Sequence, residues 1–464
     1  MLNQENQRYE ITRRKFLALS GVGVGTALGG SLLAQLQAIA APPIGNNDGV
    51  LVMIYLGGGN DPLNTLVPFT SNAYKSLRPN LYLSPDSSDP LRVCTPITNQ
   101  FGVHSSMTNI AALYQSGKVA FIPGAGYSGQ DLSHFSSAAQ YMYGWGGSGR
   151  VTSGWAGRFL DTFADSATES TRGITINGSI PPAITGTSSR CISLPTYISD
   201  AYNANAQSEV SKFCFNDIAN FTGESSYTIP SSIAKNTVNA LNLPSQYGSA
   251  YPDLTGLNNP SYIERNLAIS AGIINADLGA RVIHVIQDGY DTHTGQLSQQ
   301  SDLLHDLDSA IGYFFANLNS KFSSRVTIMV YSEFGRRAQE NGTGTDHGRA
   351  ALMMLIGNTV KGGIATPYPS LTSLDNNGNL IDTVDFRQVY AEIVSQWMKS
   401  DEVSIIGNSY NDIGLFTSGP TSATTTTTMP LEKLPGVIRT HKSSIPTRVS
   451  SLRTERDLVT NEND

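Results

Sequence analysis

Five segments most constrain what this chain can fold into: GVLVMIYL from Gly49, KVAFIPG from Lys118, RVIHVIQ from Arg281, RVTIMVY from Arg325 and ALMMLIG from Ala351. Each is an almost unbroken apolar run rather than an alternation, the pattern of a strand covered on both faces. Helix-period segments lie between them, at 133–143, 154–164, 262–278, 298–319 and 385–398. Apolar strands alternating with such helices predict an α/β fold with a mostly parallel sheet and helices on both faces. In such sheets ligands bind beyond the carboxyl ends of the strands. Most of the chemically interesting residues fall at those ends.

The ends of the chain are of a different kind. Thr12-Arg13-Arg14-Lys15-Phe16-Leu17 precedes a small, apolar stretch that closes with Ala38-Ile39-Ala40. This resembles a twin-arginine export signal over residues 1–40, with cleavage near Ala41 and the twin-arginine translocase as partner during export. A membrane anchor is the alternative, but its glycines make that helix weak, so no stable transmembrane segment is expected in the mature chain. Residues 41–417 form the α/β domain, and 418–464, with SATTTTTMP and mixed charges, reads as a mobile tail. Within the domain, about 166–260 is rich in Ser, Thr, Asn and Gly and reads as an insertion or cap.

Charge and cysteine content exclude several classes. Of 30 basic and 37 acidic residues, the first forty hold four and two, leaving 26 against 35 and a net charge of −9. An acidic chain without basic clusters argues against nucleic acid as a partner. Three cysteines are an odd number for an oxidising compartment; Cys191 with Cys214 is the expected pair and Cys94 the free thiol.

Four loops carry candidate chemistry. Gly58-Gly59-Asn60-Asp61 ends the first core strand, where glycines allow a sharp turn and Asn60 and Asp61 offer oxygens to a cation, or else cap a helix. Gly124-x-Gly126-x-x-Gly129 has the look of a dinucleotide loop, but no acidic residue ends a following strand, which argues against an oxidoreductase. In the same loop Ser133-His134 opens a helix, whose N-terminal dipole favours an alkoxide or bound oxyanion at Ser133; an N-cap serine with a packing histidine is the other reading. Asp291 and His293, two apart on an extended segment, point to one side and suit a shared cation, unless Asp291 only caps a turn. The richest loop is SEFGRRAQENGTGTDHG, Ser332–Gly348, with Glu333 after one core strand and Asp346-His347 before the next. Arg336 or Arg337 could instead pair with Glu333 as a plain ion pair. Carboxylates Asp61, Asp291, Glu333 and Asp346 gathered at one edge would raise one another's pKa unless a cation sits among them. His104, in FGVHSSM, also approaches this edge or serves as a polar loop residue.

LGGGNDPLNTLVP, LSHF, GWAGRFL, GYDTH, SEFGRRAQENGTGTDHG, KGG and DFRQVYAEI, in that order behind the export signal, resemble a bacterial exported family known as domain of unknown function 1501. The resemblance runs to about Gly414, and that family is similar to the alkaline phosphatase and sulfatase superfamily. It implies an alkaline-phosphatase-like sheet with metals at the strand ends and hydrolysis of phosphate or sulfate esters. It implies Asp61, Asp291, His293, Glu333 and His347 as metal ligands and Ser133 as nucleophile, with Thr65 and Ser105 as other candidates. Arg336 would steady the departing charge, and Asn60, His104, His134 and Asp346 would lie around the site. The divalent ion is left open among zinc, calcium and magnesium. Phe334 stands where those enzymes place a ligand histidine, which implies one metal rather than two. The rival reading is a non-catalytic periplasmic binding or assembly protein on the same fold, with Glu333–Arg336 as a structural ion pair.

Overall fold

The apolar runs form one sheet. The computed structural model describes residues 43–163, 170–189, 191–197, 250–252, 254 and 259–421. The strands are β1 (Val50–Gly57), β2 (Val119–Gly126), β3 (Gly173–Ile176), β4 (Cys191–Leu194), β5 (Val282–Asp288), β6 (Val326–Tyr331), β7 (Ala351–Ile356), β8 (Gly363–Ile364) and β9 (Val384–Asp385). Their order is β8-β2-β7-β6-β1-β5-β3-β4, with β9 also pairing β2. Every pairing is parallel except those of β7, which runs against both β2 and β6. No helix separates β6 from β7, so the chain lacks the crossover a parallel return needs. One consequence positions the site. The end of β6 and the start of β7 lie at the same edge, which brings both ends of the Ser332–Gly348 loop there.

Helices α1 (Thr108–Gln115), α4 (Tyr262–Asn275) and α5 (Gln296–Asn317) pack together and onto the sheet, α1 on β2 and α4 on β5. Helices α2 (His134–Tyr143), α3 (Trp155–Leu160) and α6 (Phe386–Glu392) share a second layer with Met53, Tyr55, Met329, Tyr331 and Met353 of the sheet. Trp155 stacks on Tyr390, and Tyr141 on Phe386. The α/β class is therefore as the sequence predicts. None of the described helices is long and apolar enough to cross a membrane.

The stretch expected as an insertion or cap is only partly describable. Strands β3 and β4 fall inside it and extend the main sheet by two parallel members. They are four residues each, GITI and CISL, too short for the apolar-run criterion. Most of 166–260, the segment expected as an export signal and all but the first residues of the expected tail lie outside the described residues, as does Cys214. Among the described residues Cys94 is a buried free thiol and Cys191 is free too, with its S–H directed at the Ile184 carbonyl.

Asp308 shows how α5 holds α1. Helix α1 starts at Met107 without a side-chain cap. Asp308 supplies one from another helix, accepting the Asn109 N–H at 2.9 Å and the Ile110 N–H at 2.8 Å. Burial pushes its carboxyl up, and the N–H donors only partly oppose this, leaving it at about 6. A folded pKa above the unfolded value makes this group's contribution complete below about pH 4 and lost as pH rises through about 6, a difference of about 3 kcal/mol. Denaturation of wild type and Asp308→Asn across pH 4 to 8 is expected to show that decline in the wild type alone; parallel curves would remove Asp308 as its source.

Candidate metal centre

Four loops meet at the strand-end edge. The glycines after β1 act through the backbone: Gly58 and Gly59 sit at φ 114° and 81°, where a side chain is strained. A Cβ on Gly59 would also fall 2.3 Å from the Phe334 ring. This turn sends the Gly58 N–H to Glu333 Oε1 at 2.9 Å, and the carbonyls of Gly58 and Gly59 to Arg336. The glycines therefore shape the support of the site rather than letting a ligand approach the backbone.

Asp61, expected as a metal ligand, is fully committed elsewhere. It is buried and accepts both terminal nitrogens of the buried Arg78, at 2.5 and 3.0 Å, together with Gln296 Nε2 at 2.5 Å. It also caps the short helix Pro62–Thr65. Asn60 is likewise internal, its Oδ1 accepting from Thr65 Oγ1 and Gln300 Nε2. Thr65 is buried and donates to the Asp61 carbonyl, which removes it as a nucleophile. His104 lies on Gly102–His104 of a separate three-stranded sheet, with Ser105 beside it. Its Nδ1 accepts from the Ser106 N–H, and burial pushes its imidazole down to about 4. None of these reaches the cluster, because each meets its polar needs inside the fold.

The residues brought together are His134, Asp291, His293 and His347. One donor atom each of His134, Asp291 and His347 lies within 4.8 Å of the others. His293 joins from the side, its Nε2 3.1 Å from both His347 Nε2 and Asp291 Oδ1. Asp291 Oδ1 is also 3.1 Å from His347 Nε2, and Asp291 Oδ2 is 3.6 Å from His134 Nε2. The carboxylate is 46 % exposed, so the cluster opens to solvent. Burial pushes the Asp291 carboxyl up, but the Arg336 guanidinium bonded to it opposes this, and it lies below the usual carboxylate range.

Arg336 is not at the open face. It is wholly buried and donates to the carbonyls of Gly58, Gly59, Tyr290 and Thr345, as well as to Asp291 Oδ1 at 2.7 Å. Its guanidinium is spent on fixing the loops, which corrects its expected part in steadying a leaving group. The expected Glu333–Arg336 pair is replaced by Arg336–Asp291. Glu333 is buried behind the cluster and bonds His134 Nδ1 at 2.8 Å, standing one layer back from the place of a ligand. Asp346 stands in the same relation to His293 Nδ1, at 3.3 Å. Phe334 is buried with its ring 4.4 Å from that of His347 and 5.0 Å from that of His134, an apolar wall behind two ligand rings.

Proton placement tests whether the set fits a metal. His347 Nδ1 faces the Leu132 carbonyl at 3.0 Å and must donate to it. Burial lowers the pKa of this ring, with the Arg336 charge adding to it and Asp291 opposing, so a second proton is disfavoured. The neutral ring then aims an Nε2 lone pair at the Asp291 carboxylate and at His293 Nε2. Lone pairs facing one another at 3.1 Å repel unless a cation lies between them. The donor set fits a divalent metal held by imidazole nitrogens and one carboxylate oxygen.

Sequence reasoning found Asp291, His293 and His347, and placed His134 only at the margin. Its signal was available: it sits in the same strand-end loop as Ser133, and short polar loops at that edge supply the other members of the cluster. Arg78 and the Leu132 carbonyl left no such mark, one lying in an unremarkable helix end and the other belonging to the backbone. Ser133 is exposed at the start of α2, its side chain making no cap bond.

Fold and site together define the class: an α/β protein with three histidines and an aspartate clustered at the strand ends of a mostly parallel sheet. Residues 253–375 match the family described as protein of unknown function (DUF1501), which bears out the resemblance carried by the sequence motifs. That segment includes Asp291, His293, Glu333 and His347. No curated protein matches the chain in sequence. Among solved structures, it is similar to a protein of the alkaline phosphatase superfamily from Vibrio parahaemolyticus, at 9% identity over 87% of this chain and 80% of that one, with a TM-score of 0.30. It is also similar to alkaline phosphatase from the Antarctic bacterium TAB5, at 11% identity over 67% of this chain and 92% of that one, with a TM-score of 0.27. These similarities are distant, and the reading of fold and site rests on the geometry of this chain.

Proposed function

We propose that this chain is an exported, metal-dependent hydrolase of phosphate or sulfate esters. The observation that carries the reading is the convergence of three imidazole nitrogens and the Asp291 carboxylate in a solvent-open cluster. His134, His293, His347 and Asp291 would hold the ion. When bound, a divalent ion polarises an ester oxygen and lowers the pKa of a nearby hydroxyl. Ser133 precedes the ligand His134 in sequence, and its exposed hydroxyl is not consumed in capping α2. The free N–H groups at that helix start favour negative charge, which suits both an ionising serine and an ester oxyanion. Phe334 shields the rear of the His134 and His347 rings from water, and Arg336 holds Asp291 toward the cluster. Export rests on the twin-arginine motif at Arg13-Arg14, with the translocase as the partner in that step.

One observation favours the non-catalytic alternative: the guanidinium expected to meet a phosphate or sulfate, Arg336, is buried and fully bonded. Turnover of aryl phosphate and aryl sulfate by the metal-loaded protein decides between them. Ser133→Ala is expected to lower that turnover by about a thousandfold or more, with metal content unchanged. Undiminished turnover would place the nucleophile elsewhere. A wild type that binds metal and hydrolyses neither ester would favour the binding protein.

A further inference from the structure

The atoms behind the histidines bear on which ion the site takes. Each of the three rings has its Nδ1 set against an acceptor: Glu333 Oε1 at 2.8 Å from His134, Asp346 Oδ1 at 3.3 Å from His293, and the Leu132 carbonyl at 3.0 Å from His347. Those acceptors are met by N–H alone, so each neutral ring carries its proton on Nδ1 and turns a bare Nε2 toward the cluster. We propose that Glu333, Asp346 and the Leu132 carbonyl are positioning groups that commit the centre to a nitrogen-seeking transition ion of the zinc class, against magnesium and calcium. The inference rests on the metal reading above and is independent of the ester chemistry.

Glu333 is the residue whose part changes most. A carboxylate after a core strand is expected to ligate, but this one is filled from behind. Its Oε1 accepts the Gly58 N–H as well as His134 Nδ1, and its Oε2 is 3.1 Å from Ser332 Oγ. Leu132 is held at φ 60°, a left-handed conformation that a leucine adopts at a cost. Its carbonyl is the one that meets His347. Magnesium and calcium prefer six or more oxygen donors, whereas imidazole donors suit zinc and its transition-metal neighbours. A cluster offering three nitrogens and one carboxylate has the second composition.

The test is direct titration of the metal-free, full-length protein with zinc, cobalt(II), magnesium and calcium. Binding is read by calorimetry, and the cobalt complex by visible absorption. Zinc and cobalt are expected to bind, and millimolar magnesium or calcium to leave them in place. Glu333→Ala and Asp346→Ala are each expected to weaken zinc binding about 10- to 100-fold and to alter the cobalt spectrum. Glu333→Gln keeps an acceptor for the His134 N–H and is expected to recover most of the loss. Asp346 is 52 % exposed, so its variant retains the fold even where Glu333→Ala does not. Displacement of zinc by millimolar magnesium or calcium would overturn the inference, as would wild-type affinity and spectrum in both Glu333→Ala and Asp346→Ala. Failure to bind any of the four ions would overturn it together with the metal reading. Selective zinc binding by a protein that turns over no ester supports it while sinking the hydrolase.

Discussion

Asp61→Ala is expected to destabilise the protein by about 3–5 kcal/mol while leaving its metal content unchanged. The reason is the pairing of two wholly buried charges. Arg78 has no exposed surface, and Asp61 meets it with both carboxylate oxygens. Without Asp61, the guanidinium keeps the carbonyls of Arg337 and Ala338 and the Asn64 side chain, but no countercharge from that carboxylate. Gln296 Nε2 also loses its 2.5 Å acceptor. Chemical denaturation measures the first effect and metal analysis the second. A variant of near-wild-type stability that had lost its ion would show Asp61 to be the ligand that the sequence resemblance implies.

Asp291→Ala should do the reverse. Its carboxylate is 46 % exposed, accepts from Arg336, and lies 3.1 to 3.6 Å from the Nε2 atoms of three histidine rings. Removing it is expected to weaken metal binding by more than the roughly 10- to 100-fold typical of losing an outer partner. The effect on the fold should be small, because Arg336 retains its backbone acceptors at Gly58, Gly59, Tyr290 and Thr345. Ester turnover should fall with the metal. Metal affinity equal to wild type would mean that the imidazoles alone define the site, or that the ion lies elsewhere.

The contrast between these two aspartates shows where sequence reading reached its limit. Both follow a core strand and a glycine-containing turn, and both look equally fit to ligate. What separates them is Arg78, seventeen residues beyond Asp61 in sequence and without a motif around it. The core strands were legible because burial on both faces leaves continuous apolar runs, which is why all five are found. The short strands Gly173–Ile176 and Cys191–Leu194 were not, since four residues are too few to stand out as an apolar run. The antiparallel course of β7 was implicit in the missing helix before it. Glu333 was correctly placed at the site, but its layer was not, because the sequence does not say whether a carboxylate faces the ion or the ring that faces the ion. Phe334 gave the better clue: an apolar ring where a ligand is implied fits a centre closed on that side by a wall.

Metal content of the purified protein tests the central claim most directly. Mass spectrometry of the folded chain is expected to find one tightly held divalent ion in the wild type and in Asp61→Ala, and little or none in Asp291→Ala. The wild type should also lose thermal stability in chelator, since an ion that binds only the folded state stabilises it. No bound divalent ion in the wild type, together with a melting temperature unmoved by chelator, would contradict the account.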